Sequence, residues 1–256
     1  MNTWQATLLA VVEGLTEYLP ISSTGHIILT SWMMGIHHEE FVKDFTVMVQ
    51  FGAILSVVIL YWRRFVLNYR LYPAVFLAFL PAAVVGLAVK KHIDEVLDSV
   101  MLVGIALSVG GVLLVLTDRW LARQKVRVAR AEDLSKTAAI KIGIFQLMAF
   151  FPGVSRSAAT IWGGLYQGMS LVQATEFSFF LAVPTLTGAS FIKLLKVWPT
   201  LDAEKVQLLL IGNVISFFVG IVAVHYFVRL VARYGLKGFG YYRVVLGILV
   251  LLSDKA

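Results

Sequence analysis

Six stretches of this chain, near residues 45–62, 72–90, 99–118, 176–196, 207–228 and 239–253, are long and apolar enough to cross a bilayer, which takes about 20 residues of α-helix. Lipid offers the backbone no hydrogen-bonding partner, and a helix satisfies its own polar groups within one segment. Composition points the same way, with 59% hydrophobic and 14% charged residues, where a soluble domain carries about 25% charged. The expected fold class is therefore an all-α polytopic membrane protein in contact with membrane lipids. No basic stretch with a short apolar run and a small-residue cleavage site opens the chain, so no removable signal peptide is expected. The absence of cysteine excludes disulfides, Cys-ligated zinc and thiol catalysis. The net charge of +7 is read as basic loops facing anionic headgroups, with no nucleic-acid partner.

Two further apolar stretches are interrupted. Residues 4–36 are broken by Pro20 and Ser22-Ser23-Thr24-Gly25, and residues 139–168 by Pro152-Gly153-Val154-Ser155-Arg156-Ser157. Each break leaves only about a dozen residues on either side, too few to span. Such segments predict re-entrant helix pairs, although one proline-kinked spanning helix is the alternative at each. The breaks also correspond. Pro20 and Ser23 match Pro152 and Ser155 at an offset of 132, as Phe45 matches Phe177; Gly86 matches Gly220 at 134, and Gly104 and Gly111 match Gly240 and Gly247 at 136. Taken in order, these matches predict two repeats, residues 1–118 and 139–256, joined by a cytoplasmic linker over 119–138. One re-entrant pair plus three transmembrane helices is an odd number of crossings, so the second repeat is expected to be inverted.

Basic residues set the orientation. Arg63, Arg64, Arg70, Arg119, Arg123, Lys125, Arg127, Arg130, Lys136, Lys141, Arg229, Arg233, Lys237 and Arg243 are 14 of the 22 Lys and Arg residues. They fall in the loops 63–70, 119–141 and 229–243, which the positive-inside rule makes cytoplasmic. Lys43, Lys90, Lys91, Lys193, Lys196, Lys205 and Lys255 fall on the other side. Both termini and the mouth of the first break are then expected to face outward.

The polar residues of the breaks stand where an ionisable group costs about 2.5–3.5 kcal/mol, which makes them functional candidates. Glu13 and Glu17 lie four apart and share a helix face. Two carboxylates in low dielectric cannot both stay ionised without a cation, so they suggest a divalent metal, Mg²⁺ or Ca²⁺, or else a shared proton. After Pro20, the Ser22, Ser23, Thr24 and Gly25 turn suits an anion-binding nest, or its hydroxyls serve as helix caps. His26 is a candidate general base, acid or nucleophile. In the second break Arg156 has no acidic neighbour in its own loop. Its planar fork suits phosphate oxygens, with Ser155, Ser157 and the following helix start as further donors; an ion pair with Glu13 or Glu17 is the alternative. Carboxylates and histidine from one half, with arginine from the other, outline a divided site for a phosphorylated ligand.

At these residues the chain resembles the undecaprenyl-diphosphatase family, the bacitracin-resistance type of membrane phosphatase. The matching motifs are E-G-L-T-E-Y-L-P-I-S-S-T-G-H (Glu13 to His26) and P-G-V-S-R-S (Pro152 to Ser157), with F-T-V-M-V-Q-F-G-A-I (Phe45 to Ile54) and E-F-S-F-F-L-A-V-P (Glu176 to Pro184) in support. The resemblance implies hydrolysis of undecaprenyl diphosphate to undecaprenyl phosphate and inorganic phosphate at the outer face of the bacterial plasma membrane. That reaction recycles the lipid carrier of cell-wall synthesis. It also implies Glu17 and His26 as the catalytic pair, Glu13 in the acidic motif, Ser23 as nucleophile or phosphate ligand, Arg156 on the diphosphate, and a divalent metal. One departure is Ala158, where the family usually has glycine; if that position needs positive φ, the loop contour must change. A secondary transporter or flippase for isoprenyl phosphate is the competing reading, because inverted repeats with broken helices are also a transporter design. Whether Ser23, His26 or an activated water attacks stays open, with Ser23 preferred and His26 as its base or the leaving-group acid. The oligomeric state stays open too, a homodimer included.

Overall fold

The computed structural model describes residues 1–96, 100–121, 126, 128 and 130–253, without the side chains of 89–96 and 253. It is a bundle of α-helices: α1 (Thr3–Thr16), α2 (Ser23–Met33), α3 (Glu40–Leu60), α4 (Trp62–Leu67), α5 (Leu71–Val96), α6 (Val100–Leu121), α7 (Lys136–Gln146), α8 (Arg156–Tyr166), α9 (Leu171–Val197), α10 (Ala203–Tyr234) and α11 (Lys237–Ser253). Among the described residues, Glu40–Leu60, Leu71–Ala88, Val100–Leu121, Leu171–Thr200 and Ala203–Tyr234 are long and apolar enough to cross a membrane. The chain is a multi-pass membrane protein. The sixth expected span, 239–253, falls in α11, whose 17 residues leave it short of that group. Its start is set by Gly235 (φ +72°) and by Asp118, whose carboxylate accepts the Leu236 and Lys237 N–H groups at 2.9 and 2.8 Å.

Neither interrupted stretch is one continuous helix. The first is α1, a turn and α2, and the second is α7, a 3₁₀ turn and α8, with 11 to 14 residues in each helix. Within each pair the two helices pack on one another, while α1 also lies on α10 and α7 on α5. Helix α9 crosses α3 beside them and is clamped twice, once to α3 and once to α4. Lys193 pairs with Asp44 at 2.5 Å, and Arg64 pairs with Glu176. The core beneath is aromatic: Phe179 meets Tyr18 edge-on and Phe227 at a tilt, and Tyr61 and Phe65 meet Phe180 edge-on.

Helices α6 and α11 approach closely because glycine leaves the backbones bare, a small-residue interface of the membrane kind. A Cβ at Gly111 would stand 2.6 Å from the Gly240 carbonyl oxygen, one at Gly240 2.7 Å from that of Gly111, and one at Gly247 2.6 Å from that of Gly104.

One basic residue is not where the loop pattern put it. Arg243 lies inside α11 at 1% exposure, hydrogen-bonded to backbone carbonyls, and so reports nothing about loop charge. The other 13 of that set keep the same bias, though the side chains of Arg123, Lys125 and Arg127, like those of Lys90, Lys91 and Lys255, lie outside the described residues. Ala158 raises no strain. It sits in the first turn of α8, and among the described residues Ser22 is the one non-glycine with positive φ.

The close α6–α11 crossing is expected to reject side chains. Gly111→Leu should lower the unfolding free energy by about 1–3 kcal/mol. Gly188→Ala, at a site with nothing within 4 Å, should change it by less than about 0.5 kcal/mol. Denaturation in mixed micelles measures both.

Candidate active site

Each break begins where proline removes a backbone donor and disfavours helix in the residue before it. In the first, α1 runs out at Glu17, whose N–H still donates to the Glu13 carbonyl at 2.9 Å. The turn through Pro20 ends at Ser22, held at φ 71° and ψ 91°. Its hydroxyl caps α2 by accepting the Gly25 N–H at 3.2 Å. In the second, Pro152 and Gly153 (φ +85°) lead into Ser155, whose hydroxyl caps α8 by accepting the Ala158 N–H at 3.2 Å.

The two turns touch. The Leu19 carbonyl accepts the Ser157 hydroxyl at 2.7 Å and the Ser155 hydroxyl at 3.4 Å, and those two hydroxyls lie 2.8 Å apart. A carbonyl that Pro20 strands beside the turn is thus satisfied by the other half of the chain.

Glu17 is the junction. Its Oε2 accepts the Ser23 hydroxyl at 2.5 Å, and its Oε1 accepts Arg156 Nη2 at 2.8 Å. Arg156 is further held by Nη1 donating to the Ser178 carbonyl at 2.9 Å, and its guanidinium lies 5.8 Å over the Tyr18 ring. Tyr18 is in turn anchored through its hydroxyl to the Ala53 carbonyl at 2.9 Å, and Thr160 donates to the Ser178 hydroxyl at 2.7 Å. Arg156 Nε remains buried without a hydrogen-bond partner. Of the two alternatives for Arg156, the ion pair is present and one donor is left over.

A cavity of about 180 Å³ opens on this junction, lined by Glu17, Ser22, Ser23, Thr24, Ser155 and Arg156 on one side and Gln50, Gln146 and Thr185 on the other. A larger cavity, about 700 Å³, lies elsewhere among Asp118, Arg119, Ser170 and Lys237 and contains no motif residue. The smaller cavity is the candidate active site, because it gathers a nucleophile, a carboxylate and a cation.

Of the expected residues, Ser22, Ser23, Thr24, Glu17, Ser155 and Arg156 line the cavity. Gly25 lies buried beside it, and Ser155 and Ser157 spend their hydroxyls on joining the breaks. His26 turns away. Its Nδ1 is 2.7 Å from the Ser22 carbonyl and must be the donor there, so Nε2 accepts the Tyr242 hydroxyl at 2.7 Å. Glu13 is fully buried one turn behind Glu17, close enough to share a proton with that carboxyl, and neither of its oxygens has any other hydrogen-bond partner. Gln146 and Thr185 lie outside the quoted motifs, and Gln50 lies inside Phe45 to Ile54 with no role assigned to it. All three are neutral polar groups within apolar helices, and that polarity at membrane depth was the available signal. Gln146 Nε2 is an unpartnered donor at the cavity wall.

Two orphaned oxygens on Glu13 next to a second carboxylate fit a hard cation. Among the described residues no three His, Cys, Asp or Glu side chains gather to hold one. Glu13 and Glu17 would therefore be its protein ligands, with water and ligand oxygens completing the shell.

A family model described as bacitracin resistance protein BacA matches residues 6–249. The chain belongs to this family. Proteins named undecaprenyl-diphosphatase are similar to it along their whole lengths. That of Bdellovibrio bacteriovorus is 47% identical, over 98% of this chain and 96% of its own. That of Flavobacterium johnsoniae is 45% identical with the same coverage, and that of Aquifex aeolicus is 38% identical over 97% of both chains. Membership of the BacA family covers both breaks, so the residues that meet at Glu17 all lie inside the matched region.

If Ser157 joins the breaks rather than contacting ligand, Ser157→Ala should destabilise the fold by about 1–3 kcal/mol, the cost of stranding a buried carbonyl. Denaturation in mixed micelles measures it, and unchanged stability would contradict the assignment.

Proposed function

We propose that this chain hydrolyses undecaprenyl diphosphate to undecaprenyl phosphate and inorganic phosphate, the activity for which its relatives are named. The observation that carries the reading is the Ser23 hydroxyl donating to the Glu17 carboxylate while the same carboxylate holds Arg156. A hydroxyl nucleophile needs a base within hydrogen-bond reach. A carrier that only moves lipid phosphates needs no such pair.

Ser23 Oγ attacks the terminal phosphorus as its proton passes to Glu17 Oε2. The bond from that phosphorus to the bridging oxygen breaks, and the lipid phosphate leaves with the electron pair and takes up the proton. Water, deprotonated by Glu17, then attacks the phosphorus of the phosphoseryl ester; the bond to Ser23 Oγ breaks, Glu17 returns the proton to that oxygen, and phosphate leaves. Arg156, with its free Nε–H and the Nη2 that it shares with Glu17, clamps phosphoryl oxygens and stabilises charge that grows in the transition state. The hydroxyls of Ser22 and Thr24 and the Gln146 amide add neutral donors. A divalent ion on Glu13 and Glu17 supplies, when bound, further neutralisation of the phosphate oxygens. His26 acts indirectly, holding the Ser22 carbonyl and hence the turn that carries Ser23.

The site sits in a fold of two inverted repeats, residues 1–118 and 139–256, each with a re-entrant pair, joined through 119–138. Several reciprocities support this. Under the 136-residue offset, the Gly111–Gly240 contact becomes the Gly247–Gly104 contact, and both occur. Asp44 of α3 and Glu176 of α9 stand 132 apart, and each pairs with a cation of the other half, Lys193 of α9 and Arg64 of α4. Helix α1 packs on α10 of the other half, as α7 does on α5. The excess of basic residues at the α6–α7 and α10–α11 connections supports a reading in which the mouth of the first break faces the outer, periplasmic side.

Phosphate release from a long-chain isoprenyl diphosphate by purified protein tests the assignment. Glu17→Gln and Ser23→Ala should each lower kcat by about 10²–10⁴-fold, and turnover at the parent rate by either would sink it. In the same assay a chelator should abolish activity and Mg²⁺ or Ca²⁺ restore it, with calorimetric binding of the ion lost in Glu13→Gln. Full activity after stripping would remove the metal from the account.

A further inference from the structure

We infer that Arg243 is a positioning residue for this reaction, tying the turn of one break to the turn of the other. The inference rests on the phosphatase reading of the site between them. Arg243 belongs to neither break and to none of the motifs. It projects from α11 and is 1% exposed. All the hydrogen bonds of its guanidinium go to backbone carbonyls. Nη1 donates to Pro20 at 3.0 Å, Nη2 to Gly153 at 3.0 Å and to Ala106 at 3.1 Å, and Nε to Leu107 at 3.4 Å. Pro20 lies between Glu17 and Ser23, and Gly153 stands three residues before Arg156. One cation therefore spans the two turns whose side chains converge on Glu17.

Three observations distinguish this from ordinary core packing. First, a buried cation is normally paired with a carboxylate, whereas this one is held by carbonyl dipoles alone, which only a fork with donors in several directions can engage at once. Second, α6 makes room for it, since a Cβ at Gly110 would overlap the guanidinium. Third, the neighbouring α11 residue, Tyr242, holds His26 Nε2, and His26 Nδ1 holds the Ser22 carbonyl. Consecutive residues of α11 thus grip the first break on both sides of Ser22. That residue keeps a positive φ immediately before Ser23, a conformation that persists only where the surroundings over-determine it.

Arg243 makes no contact with the cavity lining's hydroxyls, so its loss should misplace the reacting groups without removing a substrate ligand. Full-length protein carrying Arg243→Lys or Arg243→Met is assayed for isoprenyl diphosphate hydrolysis, with folding followed by thermal melting. The expected result is a fall in kcat of about 10²-fold for Met, a smaller fall for Lys, and KM within about threefold of the parent. The chain has no cysteine, so Leu15→Cys and Phe151→Cys, exposed at 45% and 66%, give spin labels beside the two turns. Their distance distribution should be narrow in the parent background and broaden with Arg243→Met.

Unchanged kcat in a folded Met variant overturns the inference. So does a raised KM at unchanged kcat, which would make Arg243 a substrate ligand, or loss of fold in both variants, which would make it structural only. An inactive parent protein would instead sink the phosphatase reading, and the spin-label arm would still decide whether Arg243 joins the breaks.

Discussion

The carboxylate of Glu17 accepts a hydroxyl from its own half of the chain and a guanidinium from the other, and the rest of the site is arranged to keep it in both bonds. Each donor reaches it from the first residue of a helix that follows a break. Ser23 follows a turn that only Pro20 and the positive φ of Ser22 make possible, and Arg156 starts a helix that Pro152 and Gly153 release. The broken helices are therefore the means by which side chains of opposite charge meet inside an apolar bundle. Each break exposes backbone groups that lipid cannot satisfy, and the two breaks satisfy one another through Ser157, Ser155 and Arg243.

That mutual dependence ties the two breaks into one unit. The first break alone would leave the Leu19 and Pro20 carbonyls without these donors. The glycine-lined crossing of α6 and α11 serves the same end, since it carries Arg243 and Tyr242 to the turn of the first break. Stability and function here depend on the same few polar contacts.

Much of this was legible in the sequence, because its signals are local. Five of the six apolar stretches are helices of membrane-spanning length, the two interruptions fall at their prolines, and Glu17, Ser23 and Arg156 come together. What stayed hidden depends on distant partners. In the sequence His26 is a candidate base, acid or nucleophile three residues from Ser23; in the structure its ring bonds the Ser22 carbonyl and Tyr242, the latter 216 residues distant. Arg243 looked like loop charge because it follows a basic connection and carries no motif around it. Gln50 and Gln146 passed as ordinary members of apolar helices. Ala158 looked like a source of loop distortion, yet its position is helical and takes any small residue.

The central claim is that Glu17 couples Ser23's half of the site to Arg156's half. A double-mutant cycle on kcat/KM with Glu17→Gln and Arg156→Gln, using an isoprenyl diphosphate and folded protein, measures that coupling directly. Residues acting as one unit are strongly non-additive, so the double variant should be scarcely slower than the worse single variant. Losses that multiply, each change costing the same whether or not the other is present, would contradict it.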